Sequence, residues 1–433
     1  MTINRYKSAD EFRREFNRTA VLTPELTETV MKIIREVRDN GDSALREFTA
    51  RFDGVERDSI HADDNDWSAA SDIDDNVLDL MSNAAENIRL FHEREFEIEQ
   101  SWKSGEEASY IGQQITPLKR VGVYVPGGTA AYPSSVLMNI IPAQVAGVDE
   151  IAIATPPSRE NGRINPLVLS AARILEVEEI YAMGGAQAIA ALAYGTDSIE
   201  PVDKITGPGN QYVNEAKRQV FGQVGIESLA GPSEILILAD SHAKPEYLAA
   251  DLLSQAEHDA QARALLISTD QEILDKTEMA LESQLDDLPR GKIAAASLEN
   301  HGGLIKTESL AEGIELVNEI APEHLELALR DPEFVLKDIR NAGCVFLGEQ
   351  TPEPVGDYWA GTNHILPTAG SARFASALSV QDFVRRTSVV RYDKEALQNN
   401  GKDIADFARL EGLEAHARAV DLRLASGEGV DDE

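Results

Sequence analysis

A carboxylate and an imidazole stand side by side in Ala321-Pro322-Glu323-His324-Leu325. Glu323 and His324 could supply two general bases. The proline disfavours helical geometry at Ala321, so the pair sits near a bend entering Leu325-Glu326-Leu327-Ala328-Leu329, a strand with alternating apolar residues. Taken alone, the dipeptide also reads as an exposed Glu beside a structural His, because acid–base work depends on partners. Candidates for partners lie elsewhere in the chain. In Ser254-Gln255-Ala256-Glu257-His258, Gln255 and His258 are three apart on a predicted helix, share a face and could offer an amide oxygen and an imidazole to one ion. The plain alternative is a polar helix face. Val355-Gly356-Asp357-Tyr358-Trp359-Ala360-Gly361-Thr362-Asn363-His364 is a Gly-punctuated loop carrying Asp357 and His364, or else a structural turn closed by an Asx bond. Glu411 and His416 lie five apart on what is otherwise a solvated helix face. No H-E-x-x-H occurs, which argues against a zincin protease.

Glycine-rich turns form a second group. The G-x-G-x-x-G fingerprint is absent, but Pro126-Gly127-Gly128-Thr129, Met183-Gly184-Gly185-Ala186-Gln187 and Gly207-Pro208-Gly209-Asn210 each could set backbone N–H groups at a helix N-terminus, where phosphates are favoured. One such turn is commonplace. Three in a single sheet unit point to a nucleotide-binding crevice.

The elements that must position these residues alternate in the manner of parallel βαβ units from Val121 onward. Strands are expected at 121–125, 150–154 and 180–183, with helices over about 134–146, 167–175, 186–193 and from the turn at Gly207 to about Val220. After the break Ala230-Gly231-Pro232 a second unit follows, with strands at 234–239, 264–268 and 344–347 and a helix from Pro245 to about Glu257. The region before Lys119 reads as mostly helical and is expected to pack on this second unit. Beyond Gln381 the apolar content thins into a mixed-charge helical tail, about 404–426, which must pack on something, a second subunit among the candidates.

The chain of 433 residues carries 75 Asp plus Glu against 40 Lys plus Arg, a formal net charge of −35. A field of that sign repels nucleic acid and anionic membranes. The acids are dispersed, with small clusters at Asp63-Asp64, Asp74-Asp75 and Asp431-Asp432-Glu433, as on a halophilic surface that stays soluble in high salt; a merely acidic surface is the alternative. No stretch approaches the roughly 18 apolar residues of a membrane span, and a cytoplasmic location is expected. Cys344 is the only cysteine, which excludes intrachain disulfides and multi-cysteine zinc sites. Its apolar surroundings make it a core residue and weaken any thiolate mechanism.

Together the stretches 121–128, 207–220, Gly231-Pro232-Ser233-Glu234, 254–258, 321–325 and 356–367 closely resemble histidinol dehydrogenases, over most of the chain from Val121 to His416. The resemblance implies an α/β fold of two incomplete Rossmann-like doubly wound domains plus small helical N- and C-terminal segments, in a domain-swapped homodimer. The corresponding division is a 1–20 segment, a substrate and zinc domain of 21–118 with 230–380, an NAD-binding domain of 119–229, and a 381–433 tail that contributes to the partner subunit. By resemblance Gln255, His258, Asp357 and His416 are zinc ligands, with His416 reaching across from the partner chain. Ser233, His324, His364 and Glu411 would contact L-histidinol beside them, and Tyr124, Gln187 and Asn210 would contact NAD. The family reaction oxidises L-histidinol to L-histidine through the aldehyde with two NAD and one water, and the adjacent bases suggest that His324 serves the hydride steps and Glu323 the water. A zinc hydrolase would leave the three glycine turns without a use. A non-catalytic binding protein would not need adjacent bases.

Overall fold

Strands buried on both faces need near-continuous apolar runs, and this chain supplies two sets of them. In the computed structural model, which describes residues 3–17, 23–127 and 131–425, the first set forms a five-stranded parallel sheet in the order Ile180–Ala182, Glu150–Thr155, Arg120–Tyr124, Lys204–Thr206, Gly225–Ile226. The second forms a six-stranded parallel sheet: Asn4–Tyr6, Gly303–Lys306, Arg263–Ser268, Glu234–Ala239, His324–Ala328, Cys344–Leu347. Counted in chain order from Arg120 and from Glu234, both sheets run third, second, first, fourth, fifth. Each therefore has a point where the winding reverses, between its first and fourth strands, and crevices open there. The turn residues Gly128 and Thr129 and the acidic cluster at 431–433 lie outside the described residues, as does the end of the predicted tail helix at Ser426.

The connecting helices begin where the sequence marks them. Pro133, Pro166 and Pro245 occupy first-turn positions of Pro133–Ala146, Pro166–Ile174 and Pro245–Ala256. A proline there forfeits only an N–H that the helix leaves free anyway. The helix Pro24–Phe48 inserts Leu26, Val30, Ile33, Ile34 and Val37 into one core with Ala186 to Ala193, so it packs on the first sheet, where the sequence reading had placed this region against the second unit. The helix Asp75–Phe96 likewise lies against Pro133–Ala146. Apolar pattern alone does not choose between two sheets that offer similar aliphatic faces.

Contacts divide the chain into two compact units, Met1–Phe96 with Leu118–Phe383, and Glu97–Pro117 with Val384–Glu433. The first holds both parallel sheets. The second holds a three-stranded antiparallel sheet, Val384–Arg391, Tyr110–Pro117, Trp102–Gly105, and a pair of helices, Lys394–Leu410 and Glu414–Ala425. The region before Lys119 is mostly helical, as expected, but the strands Trp102–Gly105 and Tyr110–Pro117 were not anticipated. The helices close on each other at Gly401, where a β-carbon would stand 2.9 Å from Leu424. Among the described residues no helix is long and apolar enough to cross a membrane.

Candidate active site

The helix Leu310–Ile320 ends on Ala321, which takes a left-handed backbone (φ 53°) and gives its N–H to the Val317 carbonyl. That conformation costs a residue with a β-carbon about 1–2 kcal/mol. Pro322 then leads the chain into the strand, which starts at His324, one residue earlier than the apolar alternation indicates. Cys344 N–H holds the Glu323 carbonyl at 2.9 Å, so the bend is stitched to the neighbouring strand.

Both side chains are anchored on Glu234, the first residue of the strand on the other side. Its N–H donates to Glu323 Oε2 at 2.7 Å, and its carbonyl accepts from His324 Nδ1 at 3.0 Å. A carbonyl has no proton to give, so Nδ1 carries the hydrogen and Nε2 is the end turned to the rest of the site. Glu323 Oε2 lies 3.6 Å from Nδ1; Asp357 Oδ1 and Glu353 Oε1 lie 3.6 and 3.7 Å from Nε2. The cluster occupies the amino edge of its sheet, whereas ligands of such sheets usually sit at the carboxyl edge.

Asp357 belongs to a short helix, Pro354–Tyr358, where an open loop was expected. Its carbonyl accepts from His364 Nδ1 at 3.2 Å. Gln255 stands in the last turn of Pro245–Ala256, fully buried beside Glu353; among the described residues neither of its amide atoms has a hydrogen-bond partner, nor has His324 Nε2 or Glu353 Oε1. His258 falls in the turn after that helix rather than on it, its N–H 3.1 Å from the Gln255 carbonyl and its Nδ1 3.5 Å from Ser233 Oγ.

Burial dominates the electrostatics. It pushes the Glu323 carboxyl up to about 8, with Glu234 and Asp357 adding to the rise and His324 opposing it. Burial also works against a His324 cation, but Glu323, Asp357 and Glu353 outweigh it and raise the imidazole to about 10. Asp357 moves the other way: burial disfavours its charge, yet His324 and His364 hold it far below the usual carboxylate range. Burial lowers His258 and His364 and so favours the neutral imidazoles that bind metals. The Cys344 thiol is pushed up to about 11, chiefly by burial, and stays protonated.

The ligand atoms of His324, Glu353 and Asp357 all lie within 4.8 Å of one another. With the unsatisfied Gln255 amide and neutral His258 nearby, the donors are amide oxygen, imidazole and carboxylate, a set that suits zinc. A buried amide left without partners costs about 1–3 kcal/mol unless something satisfies it.

The glycine turns gather at the reversal point of the first sheet. Gly207 (φ 113°) packs so closely on strand Arg120–Tyr124 that a β-carbon would lie 2.0 Å from the Tyr124 carbonyl. Buried Lys217 pins this turn, reaching the Gly207 carbonyl at 2.8 Å and Glu227 at 2.6 Å. Tyr124 accepts from Gly185 N–H at 3.1 Å, and Gln187, 1 % exposed, has neither amide atom paired among the described residues. The N-cap residue Gly184 gives the helix Gly185–Tyr194 no side-chain cap, and the first N–H of that helix is the one Tyr124 holds. The Gln211–Val220 helix differs, because Asn210 Oδ1 already accepts from Tyr212 and Val213 N–H groups. Asn214 ties that helix to the Ala230 carbonyl at 2.6 Å, three residues before Ser233.

The family model described as histidinol dehydrogenase matches residues 16–424. The chain is 52% identical over 429 residues to a histidinol dehydrogenase of Geobacillus kaustophilus, covering 99% of this chain and 100% of that one. The chain belongs to the histidinol dehydrogenase family. A Bacillus subtilis histidinol dehydrogenase is 51% identical over 403 residues, 93% of this chain and 94% of its own. The crystal structure of histidinol dehydrogenase from Elizabethkingia anophelis superposes with a TM-score of 0.93 at 38% identity, covering 99% of each chain.

Of the candidate site residues, Glu323 and His324 from their adjacency and the others given their roles by the resemblance, Ser233, Gln255, His258, Glu323, His324, Asp357 and His364 lie in or directly around one cluster. Glu411 caps the end of Lys394–Leu410 and His416 lies in Glu414–Ala425, both in the second unit. Glu353, Glu234 and Glu326 were not singled out. Glu353 stands between two prolines, a signal that a constrained carboxylate precedes the Asp357 segment. Glu326 is buried and accepts from Glu353 N–H at 2.9 Å; burial raises its carboxyl and that of neighbouring Asp251.

Proposed function

We propose that this chain oxidises L-histidinol to L-histidine through L-histidinal, with two NAD and one water, using zinc. The observation that supports it most is the tautomer fixed at His324: with Nδ1–H on the Glu234 carbonyl, the free Nε2 faces Asp357, and Glu323 stands beside it with a carboxyl raised to about 8. His324 Nε2 removes the alcohol proton as hydride leaves the carbinol carbon. Glu323 then takes a proton from water as it adds to the aldehyde, His324 returns its proton to the carbonyl oxygen, and oxidation of the resulting gem-diol yields the acid. Cys344, half-buried and protonated, leaves no thiolate for a covalent thiohemiacetal.

Gln255, His258 and Asp357, with His416 of a second copy, are the residues we assign to zinc. When bound, zinc would orient the substrate's amine and imidazole and draw off the negative charge that Asp357 lends His324, which favours the neutral imidazole a base needs. Tyr124, Gln187 and Asn210 would hold NAD at the reversal point of the first sheet, and the chemistry it would supply there is acceptance of the hydride. Ser233, His364 and Glu411 complete the substrate contacts. We read both parallel sheets as incomplete Rossmann-like units, each keeping the third, second, first, fourth, fifth order, with Asn4–Tyr6 added at the edge of the second. A swapped homodimer is supported by the helix pair of the second unit, which leaves Phe407, Leu410 and Leu422 64%, 85% and 70% exposed. The dispersed acidity fits a soluble cytoplasmic protein working in high salt.

The test is NADH absorbance on adding histidinol and NAD, with and without chelator. Formation of two NADH per histidinol, lost with the metal, supports the reading. Histidinol binding without NADH formation contradicts it.

A further inference from the structure

We infer that Glu234, with Arg263, is the positioning residue that aims both bases, an inference that rests on the function proposed above. One residue's main chain holds Glu323 by its N–H and His324 by its carbonyl. Any rotation of the peptides on either side of Glu234 would therefore misdirect both bases together. Its own side chain prevents that rotation. Glu234 is 6% exposed; Oε1 meets Arg263 Nη1 at 3.2 Å and Oε2 accepts from Ala369 N–H at 3.2 Å. Arg263 also gives its main-chain N–H to the Ser233 carbonyl at 2.9 Å, so one residue clamps the segment from both ends. The guanidinium is itself fixed, donating to the Asn17 carbonyl at 2.8 Å and lying 4.8 Å over the Phe16 ring.

A carboxylate at this place is costly. It is removed from water and repels Glu323, whereas an apolar side chain would fill the same volume at no electrostatic expense. Ala369 adds a further cost, because the residue that turns its N–H to Glu234 sits at φ 52°, where a β-carbon is strained. Strain and a buried charge meeting behind two bases are accounted for by orientation: hydrogen-bonded supports of this kind are worth about 10- to 100-fold in activity.

The experiment compares Glu234→Gln, Arg263→Met and the double variant, measuring kcat and KM for histidinol and for supplied histidinal, together with zinc content. Each single variant is expected to lose about 10- to 100-fold in kcat for both oxidations, with KM for histidinol and zinc content within about twofold. The double variant, which leaves no unpaired buried charge, should remain as impaired as the singles. Recovery of kcat in the double variant would reduce the pair to a structural ion pair and overturn the inference. So would a loss that lies in zinc content or KM, or a kcat that stays within about threefold in all three. The unaltered protein serves as the control for the underlying reading, since failure of that protein to form NADH would count against the function and not against the clamp.

Discussion

His324 Nδ1 lies 3.0 Å from the Glu234 carbonyl, and this contact decides which end of the imidazole can act. The opposite nitrogen, 3.6 Å from Asp357, has no hydrogen-bond partner among the described residues; with the imidazole raised to about 10 it carries a proton, and it becomes a base only once the negative charge of Asp357 is drawn off. Glu323 is held by the same residue through its N–H, in the peptide on the other side. The two bases are thus set in a fixed relation to each other by a strand end.

Burial raises Glu323 to about 8, and only its ionised form is a base. The ionised fraction grows as pH rises through that value, so kcat for supplied histidinal should climb toward a plateau above about pH 8. A stopped-flow profile that is flat or falls across that range would count against Glu323 as the base for water.

Neutral His258 beside Asp357 and the unpaired Gln255 amide makes a definite claim about metal content. His258→Asn should abolish stoichiometric zinc in the purified protein, as read by elemental analysis. Retention of full zinc would remove His258 from the ligand set.

Lys217 fixes the Gly207 turn from below, in a buried pair with Glu227. Lys217→Met should weaken NAD binding about tenfold in a fluorescence titration, because small displacements of a positioning turn are costly. The same variant leaves Glu227 buried without its cation, so its melting temperature should fall as well. Unchanged NAD affinity would mean that the turn does not carry the cofactor.

A net charge of −35 stores self-repulsion that salt screens. Thermal melts in about 2 M KCl should show a clearly higher midpoint than melts in about 0.1 M. Equal midpoints would leave the surface acidic without being adapted to salt.

Much of this was legible in the sequence, and the omissions have physical causes. The buried parallel strands announced themselves as aliphatic runs closed by glycine and proline, and Glu323-His324 stood out because the two side chains are neighbours in the chain. The strand Val384–Arg391 did not, since it carries three arginines and is exposed along most of its length, leaving no apolar alternation to detect. The burial of Glu326 was not legible either: alternation by itself suggests one wet face, but here helix Pro245–Ala256 and the Glu353 segment cover that face with carboxyls and peptide groups. Glu353 and Glu234 act on residues at least 29 and 89 positions away, His324 and Glu323 respectively, and no local pattern records such pairings.

The division of labour between the two bases is tested most directly by Glu323→Gln, which keeps an acceptor for the Glu234 N–H. Single-turnover NADH formation would be followed separately from histidinol and from supplied histidinal. We expect the histidinal step to fall about 10²- to 10⁴-fold while the first hydride transfer falls less than about tenfold. Equal losses in the two steps would contradict the account.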